Sequence, residues 1–304
     1  SFGLNGDALL GCRLVGGLAY FWYIATRYLN DTRHWTKVAL VARTAEMPSS
    51  VQGDVCACLF INGHLWQKAE WIASSREALA HYRASQNQRG IALSLCALAG
   101  GLLGIRPNDD EGLRAGNECF ELARAADDQW VIAHLLHFYA VNAMNTGDLQ
   151  RAENWYRELI EIRRGLGNVV ETAISLWRFS EVLSRALRFQ EAIECLREAS
   201  LLAREIDSPQ DLLHADSAIG ENLRLSGDLP GAISVFEDCI ALARHHLPVE
   251  DLLFPLIQLG KTFVRTGEYP RARALMKEAP SIMRLMPQSV ATFHFDHVEI
   301  LDAF

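Results

Sequence analysis

TGDLQRAENWYRELIEIRRGLGN, residues 146–168, decides the fold. Gly147 can take the positive φ at which a helix stops, and Asp148 behind it suits the start of the next one. From Leu149 to Arg164 the apolar positions Ala152, Trp155, Tyr156, Leu159, Ile160 and Ile162 recur largely at three- and four-residue steps, which predicts an amphipathic helix. Beyond Gly165-Leu166-Gly167-Asn168 a second such run carries Ala173, Ile174, Leu176, Trp177, Phe179, Val182 and Leu183 and ends near Leu187. The unit is therefore a pair of antiparallel helices joined by tight turns. About sixteen residues per helix at roughly 1.5 Å rise makes each a rod of about 25 Å.

The unit recurs. Arg124, Arg164, Arg204, Arg244 and Arg284 are spaced forty residues apart, as are Ala152, Ala192, Ala232 and Ala272 and the turn positions Gly147, Leu187, Gly227 and Gly267. Arg83 lies forty-one residues before Arg124 and Arg43 forty before Arg83, so seven units end near these arginines, followed by one terminal helix from Val290 to Phe304. A fixed period of this size means a stacked repeat array. The expected fold is all-α: a right-handed α-solenoid of about seven antiparallel helix pairs, forming a single domain over residues 1–304. Because the chain begins at Ser1 without methionine and stops at Phe304 inside a helical pattern, we expect a fragment of a longer multidomain protein.

Local chemistry agrees with the period. Asp128, Asn168 and Ser208 share one slot before the first helix of each pair and read as N-caps. Ala140, Ser180, Gly220 and Gly260 form a column of small residues that lets the paired helices approach. Tyr139, Phe179, Ile219 and Leu259, then Tyr156, Leu196, Phe236 and Met276, form apolar columns of a continuous core. This order of large apolar, small, later alanine and then aromatic or large apolar residue resembles the tetratricopeptide repeat, with helices lengthened beyond that family's thirty-four-residue period.

Composition narrows the function. A net charge of −8 argues against a nucleic-acid or anionic-membrane surface, which needs clustered Lys and Arg. The seven cysteines are odd in number, and Cys119 and Cys239 fall in a core column, which fits a reducing cytoplasm. The lipid-like segment from Leu14 to Ala25, between Arg13 and Arg27, is too short to span a membrane and reads as a buried first-repeat helix.

Candidate chemistry reduces to structure at most positions. The recurring arginines sit at helix C-termini, where a cation complements the macrodipole, so they are not expected to bind anions; His245-His246 reads in the same way. Cys56 and Cys58, two apart on a helix, point to different faces, unlike a zinc pair. His134 with His137, and His294 with His297 around Asp296, are spaced to share a metal but have no third ligand in sequence. No phosphate loop or nucleophile elbow is present. We therefore expect no catalytic residues, no metal and no cofactor.

What remains is the inner surface of the superhelix, built from first-helix positions that do not pack into the pair. Counting from the small-residue column, these are His134, His137, Phe138, Val141 and Asn145, then Trp177, Arg178, Glu181 and Arg185, then His214, Ser217, Glu221 and Arg224, then Ile257, Lys261 and Arg265. Aromatic anchors with both charge signs suit a peptide or protein segment. The stretch Gly17-Leu18-Ala19-Tyr20-Phe21-Trp22-Tyr23, followed by Arg33-His34-Trp35 and Ala39-Leu40, resembles the opening of the repeat region in large bacterial signalling ATPases. The recurrent Ala-Arg and Gly-Asp signals resemble the repeat arms of maltose-activator-like and antibiotic-regulator-like transcription factors. These resemblances imply a cytoplasmic, non-enzymatic sensor module that binds a protein, a peptide or a small inducer and reports to an ATPase or effector domain elsewhere in the protein, with no direct nucleic acid or membrane contact. The alternative is a structural scaffold that assembles into homo-oligomers through the solenoid ends, without a small ligand.

Overall fold

The computed structural model describes residues 7–24, 29–61 and 68–284. The expected terminal helix over 290–304 and the pair His294 and His297 lie outside the described residues. Those residues are helical apart from turns, with no strand among them, and the chain is an all-α helical-repeat solenoid. The chain comprises two compact units, Ser1–Ile162 and Arg163–Phe304.

The first unit contains α1 (Ala8–Ile24), α2 (Leu29–Ala42), α3 (Ser49–Ile61), α4 (Lys68–Ala84), α5 (Gln88–Ile105), α6 (Asp110–Ala125), α7 (Gln129–Thr146) and most of α8 (Leu149–Gly165). The second contains α9 (Val169–Arg185), α10 (Phe189–Glu205), α11 (Pro209–Ser226), α12 (Leu229–His246), a 3-10 turn (Val249–Leu252), α13 (Leu253–Thr266), α14 (Tyr269–Met276) and α15 (Ala279–Met283). By length and composition α5 could cross a membrane, yet it lies mostly buried, packed against α4, α6 and α7 as a core helix.

Most of the turns from α4 to α14 use one device, the α5–α6 turn and the turn after α12 excepted. One residue takes the left-handed conformation, and the next amide reaches back five residues to cap the helix end. Gly147, Gly227 and Gly267 have φ of 83°, 97° and 80°, as expected. The back-bonds Asp148 N to Ala143 O, Asp228 N to Leu223 O and Glu268 N to Phe263 O are 2.9, 2.9 and 2.8 Å. The other turn repeats the geometry at Gln86, Asp127, Gly167 and Asp207, of which all but Gly167 are non-glycine residues with φ between 49° and 55°. The expected N-caps hold: Asp128, Asn168 and Ser208 accept from the amides of Val131, Glu171 and Asp211. The extra residue between Arg83 and Arg124 is located too. The α5–α6 turn, Arg106-Pro107-Asn108-Asp109, is two residues longer than Gly147-Asp148, and α6 is one residue shorter than α8.

Packing follows the columns. Ala152, Ala192 and Ala232 are 0% exposed, as are Tyr156, Leu196 and Phe236. A Cβ built on Gly220 would come within 2.7 Å of the Phe236 ring, so glycine is what lets α11 and α12 close. A buried ion pair begins the second unit: Arg163 Nε lies 3.2 Å from Glu171 Oε2, both side chains only 4% and 6% exposed, and the guanidinium also reaches the Glu171 carbonyl at 3.1 Å and the Ser175 hydroxyl.

The arginine column has a role beyond helix ends. Arg43, Arg83, Arg164 and Arg244 reach Glu77, Glu118, Glu198 and Glu278, thirty-four or thirty-five residues ahead, at 2.7, 2.8, 2.6 and 2.8 Å. Arg83–Glu118 and Arg164–Glu198 tie the second helix of one repeat to the second helix of the next, while Arg43 reaches from just past α2 to α4 and Arg244 from α12 to the turn after α14. Exposed pairs of this kind contribute about 0–1 kcal/mol each, so they favour one register without carrying the stability.

Two outcomes follow. Leu187, 75% exposed at φ 60°, holds the glycine slot with a left-handed strain of about 1–2 kcal/mol, so Leu187→Gly should raise Tm by about 2–4 °C in thermal denaturation. Gly220→Ala should lower Tm, because overpacking against Phe236 at about 1–3 kcal/mol exceeds a helix-propensity gain of about 1 kcal/mol, whereas Gly165→Ala, with open space at its Cβ, should not.

Candidate functional site

The first helices of successive repeats, α9, α11 and α13, lie side by side in the second unit. Their outward faces enclose a groove of about 790 Å³ whose wall includes Trp177, Glu181, His214, Glu221, Asp251 and Phe254. The volume is in the range of sites that take small molecules or peptide side chains.

Repeat phase explains the wall. Residues 174, 214 and 254 share one column and residues 181, 221 and 261 another, so each forty-residue step adds one more side chain to the same stripe. Beside this stripe the His214 ring stacks on Trp177, with centroids 5.3 Å apart and planes 15° off parallel, and the Arg178 guanidinium lies 4.2 Å from the Trp177 centroid. Arg178 also reaches Glu181 at 3.2 Å. The aromatic anchor is thereby held from two sides by chemistry that favours its flat face.

A polar bridge spans the upper end. The Gln210 side-chain amide donates to Asp251 Oδ1 at 3.1 Å and lies 3.2 Å from His214 Nε2, an arrangement that suits a neutral imidazole accepting at that nitrogen. Although one edge of the ring is open to solvent, its packed surroundings push the His214 pKa below the ordinary histidine value. Asp211 and Asp251 oppose that shift, and Arg178 adds to it. At the base of the groove Ser184 donates to Asn222 Oδ1 at 2.5 Å, and Asn222 Nδ2 donates to the Ala218 carbonyl at 2.8 Å. Buried Asn222 is thus locked to its own helix and to α9.

Of the expected inner-surface residues, Trp177, Glu181, Arg185, His214, Ser217 and Glu221 meet in this groove. Arg224, Lys261 and Arg265 adjoin it on α11 and α13. Ile257 does not belong to any surface: it is 2% exposed in the core with Leu253, Leu256 and Phe263. Its column sits between the packed and open faces, where an aliphatic side chain turns inward and the larger Trp177 stays half-open. Ser217, 3% exposed, touches the groove only at its base. In the first unit His134, His137, Phe138 and Val141 are half-buried and Asn145 is exposed. Phe138 fills the seam between α5 and α7, where a Cβ on Gly100 would meet its ring at 2.6 Å, and the His134 ring lies 3.7 Å from that of Trp130. No group of three metal-ligating side chains converges among the described residues.

Sequence reasoning missed Glu250, Asp251 and Phe254. Phe254 was available from its column. Glu250 and Asp251 follow from a break in the pattern: Pro248 stands in the N-cap slot of Asp128, Asn168 and Ser208, and Leu247 before it is extended at φ −127° where its counterparts are left-handed. The 3-10 turn that replaces the usual cap brings both carboxylates to the groove.

The tetratricopeptide repeat family model matches residues 131–205. No curated protein matches the sequence. Among solved structures, a signal transduction ATPase with numerous domains and a tetratricopeptide repeat sensor, from Pyrococcus horikoshii, is 13% identical with a TM-score of 0.75, covering 98% of this chain and 44% of its own. BtubC from P. vanneervenii is 16% identical with a TM-score of 0.62, covering 73% and 92%. A Rap protein complexed with competence and sporulation factor is 16% identical with a TM-score of 0.61, covering 92% and 77%. The forty-residue period, the capped helix pairs and these likenesses agree that the chain carries a tetratricopeptide-type helical repeat region.

Proposed function

We propose that this chain is a non-enzymatic sensor module whose second unit binds a peptide, or an extended segment of a partner protein, in the groove bordered by Trp177, His214 and Phe254. The observation that carries the reading is the stacked Trp177–His214 pair, fixed by Arg178 beside it and by Gln210 and Asp251 behind it. Such an anchor is ordered before a ligand arrives, which lowers the entropic cost of binding. The groove mixes apolar area with carboxylates, a guanidinium and amide groups, the combination that reads side chains and backbone of a peptide.

Two of the similar folds support this assignment: one is described as a sensor within a signalling ATPase, and one is complexed with competence and sporulation factor. In this chain a bound segment would bridge α9, α11 and α13 and bias the packing of adjacent repeats, which is how occupancy would reach an ATPase or effector domain. A cytoplasmic setting and a role in signal transduction or transcription regulation belong to the same proposal.

Trp177→Ala with Arg178→Ala should weaken capture of peptides from a random hexapeptide pool by about tenfold or more while leaving the helical circular dichroism unchanged; unaltered capture would remove the groove from consideration. The packed face of His214 makes a second statement. A histidine whose folded-state pKa is depressed stabilises the fold fully above the unfolded value of about 6.5 and loses that contribution as pH falls toward the folded value. His214 resonances should titrate below that value in NMR, and His214→Gln should flatten the loss of stability between about pH 7 and pH 5; an unperturbed titration would contradict the packed, neutral ring.

A further inference from the structure

One amide links two walls of the groove. Gln210 Nε2 lies 3.1 Å from Asp251 Oδ1 and 3.2 Å from His214 Nε2, so its two hydrogens serve two acceptors at once. Asp251 fixes the sense of this bridge. Turned the other way, the amide would set its carbonyl oxygen against a carboxylate oxygen, so it must donate toward Asp251 and, with its other hydrogen, toward His214. His214 Nε2 is thereby an acceptor, and the ring is the neutral tautomer with its proton on Nδ1. The 3-10 turn packs on α12, α13 and α15, and Gln210 bonds it to α11. That turn carries Glu250 and Asp251 and leads into Phe254, all three in the groove wall. The same imidazole stacks on Trp177 of α9, in the facing wall.

A proton on the ring is incompatible with this arrangement. An imidazolium carries N–H at both nitrogens, and its Nε2–H would meet the Gln210 N–H donor to donor. Rotating the amide satisfies the imidazolium and turns an oxygen on Asp251; keeping it satisfies Asp251 and not the ring. Neither orientation serves both neighbours, so charge on His214 breaks the tie between α11 and the turn. The surrounding charges do not remove the conflict. On α9, Arg178 repels an imidazolium, and Glu181, its partner at 3.2 Å, attracts it, as do Asp211 on α11 and Glu250 and Asp251 on the turn. Phe254 is what α13 brings to this end, and Arg185 and Glu221 lie further along the groove. Helices α10 and α12 meet α11 on its far side, through Arg204 with Asp216 and Phe236 with Gly220. Packed surroundings first, with Arg178 adding, outweigh Asp211 and Asp251 and hold the ring neutral near pH 7. One ring edge is open to solvent, so a proton reaches it without opening the fold.

Resting on the peptide-binding reading above, we propose that His214 makes the groove proton-gated: the neutral ring joins both walls around a peptide, and the imidazolium releases the wall that carries Glu250, Asp251 and Phe254. The groove captures peptide near neutral pH and lets it go as pH falls through the titration of the ring. By linkage a bound peptide resists the proton in return, so occupancy draws that titration lower.

The experiment uses the full chain, immobilised, and a random hexapeptide pool without His, Asp or Glu, acetylated and amidated at its ends, so that nothing in the ligand titrates between about pH 7 and pH 5. Retention read by mass spectrometry should be about fivefold or more lower at the acid value. His214→Gln, which keeps an acceptor for Gln210 and takes up no proton, should bring retention at the two values together. Equal retention by the native chain overturns the gate and leaves the peptide groove standing; retention at neither pH sinks the groove and the gate with it. Two NMR titrations of the His214 ring need no such variant of the ring itself. Saturation with a peptide recovered at neutral pH should lower the midpoint by about 0.7 pH units, the same fivefold seen from the other side. Gln210→Leu, which removes the N–H facing Nε2, should raise the midpoint of the free protein. An unmoved midpoint in either titration overturns the gate whatever the pool shows.

Discussion

Everything in this protein depends on how each helix is made to reverse. A turn of one left-handed residue followed by a cap leaves no slack, so successive helices must lie antiparallel and in one rotational phase. The back-bonds that close these turns fall between 2.8 and 3.1 Å at Asn87, Asp128, Asp148, Asn168, Arg188, Ser208, Asp228 and Glu268, at both ends of nearly every pair. Because phase is conserved from one repeat to the next, a residue's place in the forty-residue register determines whether it is packed or open. The columns of alanine, aromatic residue and arginine are consequences of that phase.

Energetic roles then separate by burial. Ala152, Ala192 and Ala232 with Tyr156, Leu196 and Phe236 are wholly buried and add to the favourable burial term along with the rest of the apolar core. The exposed arginine–glutamate pairs between repeats contribute little each, and their value lies in opposing a slip of one helix along another. The Arg163–Glu171 pair differs in kind: buried, with added bonds to a carbonyl and a hydroxyl, it costs more to break than to form, so it specifies an arrangement more than it stabilises one.

Most of the fold was legible because it is written in backbone demands: glycines at 147, 227 and 267, caps at 128, 168 and 208, and small residues where helices touch. Leu187 shows the limit of composition as a guide, since only its place in the column reveals that it adopts a left-handed turn. The glutamate partners of the arginines share the forty-residue spacing and were equally readable, but a column of surface acid on a helix looks like solvated charge until its geometry is seen. The site was half legible. Trp177, His214 and Glu221 follow from phase, while Ile257 shows that phase locates a column's edge only to within one side chain's choice of direction. Glu250 and Asp251 arise where the pattern fails, and a rule built on regularity says nothing about its exceptions.

That exception at Pro248 has a wider meaning. A strictly periodic surface offers a ligand many equivalent resting places, displaced from one another by one repeat, and binding to it would be smeared along the array. The proline removes one cap, inserts a 3-10 turn and so marks a single origin on an otherwise translation-invariant track. A protein built by copying one unit thereby acquires an address.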